Sequence, residues 1–179
     1  MLSRPVPLFS NRFFFESQDY ELAGVNKRVK NIAHEEFDST SAEVLTTAIL
    51  HDFGTFRPLL LADEAEFIHT SALNGNHLQI EIPYAGDHEL WLVRPNCSNS
   101  LVLLGAIDEQ RSVLVLSYQN PNQNPNITGA AWCLQEFQKR LALIRQCISY
   151  QTNMLAAIQA SLPLLVKRAI DLRKQQANA

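Results

Sequence analysis

Residues 130–172, AAWCLQEFQKRLALIRQCISYQTNMLAAIQASLPLLVKRAIDL, decide the fold of this chain. Thirteen positions in this stretch lie at alternating steps of four and three residues, and twelve of them are apolar. A hydrophobic period of about 3.5 residues over about six heptads is typical of a long helix packed along a narrow seam. The seam positions are Ala130, Leu134, Phe137, Leu141, Ile144, Ile148, Gln151, Leu155, Ile158, Leu162, Leu165, Ala169 and Leu172.

Two features bound this predicted helix. A proline disfavours helical geometry in the residue before it, so we predict a break near Pro163, with Pro163 as the first residue of a new helix. On the N-terminal side, residues 120–126 form a linker of Asn, Gln and Pro that continues neither a strand nor a helix. We therefore predict an α+β domain over residues 1–125 and, over 126–179, a long amphipathic helical arm that packs on the sheet or on a partner.

The upstream region predicts two helices followed by a sheet. Apolar residues recur at helical spacing over 20–37, and a second helix follows the capping-box spacing of Thr40 and Glu43. From residue 77 the period changes to two, with turns between short apolar runs. The predicted fold class is therefore α+β, with N-terminal helices and a four-stranded antiparallel meander. A further short strand is indicated over 59–61, and the meander strands are predicted over 77–84, 89–94, 101–107 and 112–119.

Composition excludes several classes of function. The six glycines are never closer than eleven residues, so no glycine-rich phosphate loop or dinucleotide-binding turn is present. The cysteines Cys97, Cys133 and Cys147 form an odd set without a C-x-x-C pair, which suits a reducing cytoplasm better than a disulfide framework or a zinc site. No stretch is apolar enough for a membrane span. We expect a cytoplasmic protein that is not an enzyme and has no cofactor and no metal.

The apolar seam predicts a protein–protein interaction. Because a helix with such a seam must cover it, our first hypothesis is a non-catalytic interaction module that forms a homo-oligomer or binds an effector protein. The residues that would carry the oligomer contact are Phe137, Leu141, Ile144, Ile148, Leu155, Ile158 and Leu162.

The charge distribution supports an alternative. Residues 1–130 carry 8 basic and 16 acidic side chains, whereas residues 131–179 carry 7 basic and 2 acidic ones. The two segments can simply attract each other, or the basic helix can bind nucleic acid. The basic residues concerned are Lys139, Arg140, Arg145, Lys167, Arg168, Arg173 and Lys174.

A second alternative is a small hydrolase. The run Asp87-His88-Glu89 places a titratable imidazole between two carboxylates, which is the composition of a general acid–base site. Because a polar cluster is also what any solvated turn contains, the spacing leaves both interpretations open.

The segment Ile82-Pro83-Tyr84-Ala85-Gly86-Asp87-His88-Glu89-Leu90-Trp91-Leu92-Val93-Arg94-Pro95, with Ile170-Asp171-Leu172-Arg173-Lys174 after the long helix, carries a family resemblance. It resembles the N-terminal region of a group of poorly characterised bacterial proteins, in which I-P-[FY]-x-G-D-x-E-L-[FW] and I-[ED]-x-R-[KR] elements precede a nuclease-like domain of the restriction-endonuclease type. This sequence ends at Ala179, where that domain would begin, and has Asn96 where the family has Ser or Thr.

The resemblance implies that this chain is the accessory module of a nuclease-type system, with a role in sensing, positioning or oligomerising a nuclease in genome or phage defence. It also implies four candidate recognition residues, which are Asp87, Glu89, Trp91 and Arg94. A structural role, with a turn acid, a core tryptophan and an Arg–carboxylate pair, is the alternative for the same residues.

Overall fold

The computed structural model describes residues 4–10, 14–53, 56–71, 77–95, 102–119 and 129–177. It divides the chain into two compact units. The sheet unit comprises Met1–Arg12 and Arg57–Thr152, and the helical unit comprises Phe13–Phe56 and Asn153–Ala179. The predicted linker over 120–126, with the domain boundary at residue 125, and the cysteine Cys97 lie outside the described residues.

The sheet unit contains six antiparallel strands within the described ranges, so the predicted α+β class is confirmed and the predicted count of four is wrong. The strand order is β1-β5-β6-β4-β2, and β3 also pairs with β4. The strands are β1 (Val6–Leu8), β2 (Leu60–Leu61), β3 (Ile68–Ser71), β4 (His77–Ala85), β5 (Leu103–Asp108) and β6 (Val113–Gln119).

The paired strands β4 and β6 follow the sequence pattern closely. Side chains on β4 alternate between buried and half-buried as a strand with one core face requires, and β4 pairs with β6 from His77 opposite Gln119 to Pro83 opposite Val113. The predicted strand over 89–94 is wrong, because His88–Trp91 forms a 3-10 turn instead. This turn carries Trp91 into the core, where it is 0% exposed.

Both borders of the sheet are poor templates for an added strand. The border strand β1 contains Pro7, which has no N–H to donate. At the other border, β2 and β3 are separated by a 3-10 turn that holds Asp63, Glu64 and Glu66. Prolines, short strands and charges are the devices by which proteins protect sheet edges from pairing with other chains.

The helical unit contains α1 (Phe14–Asn31), α2 (His34–Ser39), α3 (Ala42–Phe53) and the C-terminal part of α4. The single helix predicted over 20–37 is therefore two helices, with an extended backbone at Ala33 between them. The N-cap of α3 is Ser41, whose hydroxyl accepts a 3.3 Å hydrogen bond from the Val44 N–H. The core of this unit consists of Val25, Val29, Phe37, Leu45, Ile49, Val166, Ala169 and Ile170.

The helix α4 runs from Gly129 to Ala177 without interruption, so the predicted break near Pro163 is wrong. Pro163 is exposed, while Val166 and Ile170, about one and two turns later, are fully buried. Packing of that buried face offsets the hydrogen bond that the proline ring removes from the helix. Among the helices of the described ranges, none combines the length and apolar character that crossing a membrane requires.

The buried face of α4 departs from a strict heptad. At the two ends of the helix, the seam residues Leu134 and Leu172 are 44% and 49% exposed, whereas Cys133 and Ile170 are buried. The buried residues recur at about 3.6 positions, which is the period of a straight α-helix rather than of a supercoil. They are Cys133, Phe137, Leu141, Ile144, Cys147, Gln151, Leu155, Ile158, Val166, Ala169 and Ile170.

Candidate functional site

The first candidate recognition residue, Asp87, lies at a tight contact between two chain segments. Its carboxylate accepts hydrogen bonds from the Arg57 backbone N–H at 2.9 Å and from Arg57 Nε at 3.0 Å, and the Asp87 N–H donates to the Arg57 carbonyl at 3.0 Å. Gly86 permits this approach, because its φ is +101° and a Cβ there would lie 2.2 Å from the Pro58 carbonyl oxygen.

The electrostatics of Asp87 follow from this contact. The hydrogen bond from the Arg57 backbone, with smaller contributions from the Arg57 guanidinium and from His88, lowers the pKa of the Asp87 carboxyl below its ordinary 3.8. Asp87 is therefore a carboxylate at neutral pH, and its oxygens are already occupied by Arg57.

Trp91 forms part of an aromatic cluster in the core of the sheet unit. Its ring centre lies 5.3 Å from that of Tyr84 in an edge-on arrangement and 5.7 Å from that of Phe9. The Phe9 N–H donates a 2.6 Å hydrogen bond to the Trp91 carbonyl, which joins the residue after β1 to the 3-10 turn. These contacts give Trp91 a structural role in the packed interior.

The other two candidate recognition residues, Glu89 and Arg94, are exposed. The structure therefore divides the four residues into a pair within the fold, Asp87 and Trp91, and a pair at the surface. Asp87 contacts Arg57 and not Arg94, so the Arg–carboxylate pair that the sequence suggested involves a different arginine.

His88, the remaining residue of the candidate hydrolase turn, lies 3.5 Å from the Glu109 carboxylate through its Nε2. The side chains of His88 and Glu109 are 45% and 62% exposed, so this pair is solvated. Across the described parts of the chain, no three His, Cys, Asp or Glu side chains form a group that could hold a metal ion.

The residues predicted for oligomer contact are largely covered by their own chain. Five of the seven, Phe137, Leu141, Ile144, Leu155 and Ile158, are between 0% and 7% exposed. In the sheet unit, Phe137 meets the rings of Phe67 and Tyr118 at centre distances of 6.2 Å. Ile148 and Leu162 are half-buried. Most of this predicted contact surface is therefore covered within the chain itself.

Five of the seven basic residues proposed for nucleic-acid binding contact their own chain. Arg145 pairs with Glu64 at 2.8 Å and Lys139 with Glu136 at 2.9 Å. Arg140 stacks on Tyr118, with the guanidinium carbon 5.1 Å from the ring centre. The other two that do so, Arg173 and Lys174, lie in the helical unit.

Arg173 joins α4 to the C-terminal end of α1. Its guanidinium donates to the carbonyl oxygens of Val29 and Ile32, the latter at 2.7 Å, and lies 4.1 Å from the centre of the Phe37 ring. It thereby satisfies carbonyls left without helical partners where α1 ends. The Lys174 ammonium lies 6.0 Å from the centre of the same ring, while Lys167 and Arg168 are exposed.

One surface was not anticipated from the sequence. On the outer face of the sheet, Leu104 is 48% exposed and lies opposite Pro7 of β1, and Val102, just before β5, is 67% exposed. Farther along the same face, Ala106, Val113 and Val115 form a small buried cluster. We call Pro7, Val102 and Leu104 the outer patch. The sequence signal for this surface was the run of consecutive apolar residues in and near β5 and in β6. Such a run places apolar side chains on both faces of a sheet, and both faces then require cover.

Comparison with family models, with curated proteins and with solved structures finds no match for this sequence. The resemblance to nuclease-associated bacterial proteins therefore stays a prediction.

Proposed function

We propose that this protein is a non-catalytic interaction module that pairs with a second copy of itself through the outer patch. The observation that carries the proposal is the exposure of Val102 and Leu104, at 67% and 48%, on a sheet face whose neighbouring residues are buried. Aliphatic side chains exposed beside a buried apolar cluster are typical of interaction surfaces.

The geometry of the sheet favours contact through this face over the other surfaces of the unit. Both borders are protected against strand addition, and five of the seven α4 residues predicted for oligomer contact are buried. Two sheets that pack face to face bury aliphatic side chains between them.

The charges at the far end of the same face suit a symmetric contact. Arg111 is 52% exposed and pairs with Glu81 at 2.5 Å, and the neighbouring Glu109 is 62% exposed. A two-fold contact brings the same patch of both copies together, so a rim with both charge signs is complementary to itself. This argument favours a second copy over a partner with a single charge sign.

The test is the mass of the protein in solution, measured by light scattering with size-exclusion chromatography at tens of micromolar. We expect a dimer for the unaltered chain and a monomer for Leu104→Glu, since the new carboxylate would have to be buried without a partner. The matched control is Leu164→Glu, which changes a leucine that is 70% exposed on α4.

The proposal fails if the unaltered protein is a monomer, or if Leu164→Glu dissociates the dimer as fully as Leu104→Glu. A monomer that binds a nuclease-type effector through Leu104 would instead favour the partner that the family resemblance implies.

Nucleic-acid binding is a second candidate function. The observation that favours it is the exposure of two of the seven basic residues, Lys167 and Arg168. Binding through these residues would weaken as salt rises, because each phosphate contact releases counterions. The double variant Lys167→Glu and Arg168→Glu should then abolish binding to a duplex oligonucleotide. Binding that is indifferent to salt or to this variant would contradict the candidate.

A further inference from the structure

Two buried hydrogen-bond donors belong to neighbouring side chains of the sheet unit and find no acceptor among the described residues. The Tyr118 hydroxyl and the Arg140 Nε are both shielded from solvent, and neither has a hydrogen-bond partner within the part of the chain that the structure describes. Tyr118 belongs to β6 and Arg140 to α4, and the guanidinium carbon lies 5.1 Å from the centre of the phenol ring.

Two buried donors without acceptors lower the stability of a folded protein. A buried donor that loses its partner destabilises a protein by about 1–3 kcal/mol, and a charged donor costs more. Buried polar groups in folded proteins therefore nearly always have a partner, which can be an ion or a water that the chain itself does not supply.

The chemistry of the two groups indicates which class of ligand can accept a hydrogen bond from both. Arg140 can only donate, and its guanidinium carries a positive charge. A single water could accept from both groups, but its own two hydrogens would then need acceptors. An oxyanion accepts from both groups, brings no hydrogens and neutralises the guanidinium.

The charges around the pair are compatible with an anion. Glu136, the carboxylate whose charge acts on Tyr118, is engaged by the Lys139 ammonium at 2.9 Å. Burial raises the pKa of the Tyr118 phenol to about 12, against a smaller lowering by Arg140 and with a further rise from Glu136, so the hydroxyl keeps its proton at neutral pH. It can therefore donate to an anion under ordinary conditions.

Arg140 is the member of the pair that reaches solvent. Tyr118 is 3% exposed, whereas Arg140 is half-buried and so has one side in solvent. Movement of the guanidinium, which lies over the phenol ring, would let both groups donate to one ligand. We propose that Tyr118 and Arg140 form a binding site for a small oxyanion, either a phosphate or a carboxylate. This inference is independent of the proposed dimer.

The experiment is a calorimetric titration of the full chain with inorganic phosphate and, separately, with acetate, at constant ionic strength in chloride. We expect saturable binding of at least one anion. Tyr118→Phe, which removes only the hydroxyl, and Arg140→Lys, which keeps the charge but removes Nε–H, should each weaken it about tenfold, as the loss of one hydrogen bond to a charged group predicts.

The matched control is Arg145→Lys, which alters an arginine on the same helix that already pairs with Glu64. It should bind the anion as the unaltered protein does, and circular dichroism should show that all three variants are folded. Tighter binding of phosphate would identify a phosphate site, and tighter binding of acetate a carboxylate site. The proposal is overturned if neither anion saturates, if Tyr118→Phe binds normally, or if Arg145→Lys loses as much affinity as Arg140→Lys.

Discussion

The side-chain amide of Gln151 donates a 2.7 Å hydrogen bond to the carbonyl oxygen of Leu90, sixty-one residues earlier in the chain. The same nitrogen donates to the Val93 carbonyl at 2.8 Å. Gln151 is the one polar residue of the predicted seam and is 1% exposed. The polar exception in an apolar pattern is therefore a specific contact between α4 and the segment around the 3-10 turn.

We predict that Gln151→Leu lowers the free energy of unfolding by about 2 kcal/mol. Leucine fills most of the volume, but it leaves the Val93 carbonyl without this donor and leaves the Leu90 carbonyl with only the Val93 N–H at 3.2 Å. An unpaired buried carbonyl costs about 1–3 kcal/mol before the gain in apolar burial. Urea denaturation followed by circular dichroism measures the change. Gln146→Leu, at an exposed position of the same helix, should change stability by less than about 0.5 kcal/mol. Equal effects of the two substitutions would show that the amide contact contributes nothing.

A second prediction concerns the glycine beside Asp87. Gly86→Ala should destabilise the protein by more than about 3 kcal/mol, because the backbone has φ of +101° and the new methyl group would overlap the Pro58 carbonyl. Gly105→Ala is the comparison, since its methyl group would meet flexible side-chain ends of Leu114 and Leu8 at 2.9 and 3.0 Å. Thermal unfolding should show a clearly larger loss for Gly86→Ala. The reverse order would mean that the turn can open without disturbing the core.

A third prediction follows from the lowered pKa of Asp87. A carboxyl group whose pKa is lower in the folded than in the unfolded chain stabilises the fold above the unfolded value and loses that contribution as pH falls through the folded value. The unaltered protein should therefore lose stability as pH falls below about 4, and Asp87→Asn should flatten this part of the curve. Urea denaturation between about pH 2 and 6 measures both curves. Glu89→Gln, at the exposed position two residues after Asp87, serves as the control and should leave the slope unchanged.

The long periodic elements could be predicted from the sequence, whereas the short ones could not. The α4 helix and the β4 and β6 strands each repeat an apolar pattern over enough residues to identify their type. The three-residue β1 contains a proline, and the four-residue β3 is too short to show a period, so both become strands only through pairing with β5 and β4. Tertiary contacts determined them.

The candidate site was predictable only as a group of residues near one turn. The motif around Asp87 identifies a constrained segment, but its partner Arg57 lies thirty residues earlier, and nothing local indicates that pairing. The same limit applies to Tyr118 and Arg140, which lie on elements separated by the linker. Spacing along the chain predicts which residues share a face of one element, and it does not predict which faces meet.

The last prediction concerns the proline that the helix α4 tolerates. Pro163→Ala should raise the free energy of unfolding by about 1–3 kcal/mol, because it restores an N–H that can donate to the carbonyl four residues earlier and removes a ring that crowds the preceding turn. The position is exposed, so no core contact is lost. Thermal unfolding measures the gain, with Leu164→Ala at the adjacent, 70% exposed position as the control. A loss of stability would show instead that the local geometry imposed by Pro163 is needed to place Val166 and Ile170 in the core of the helical unit.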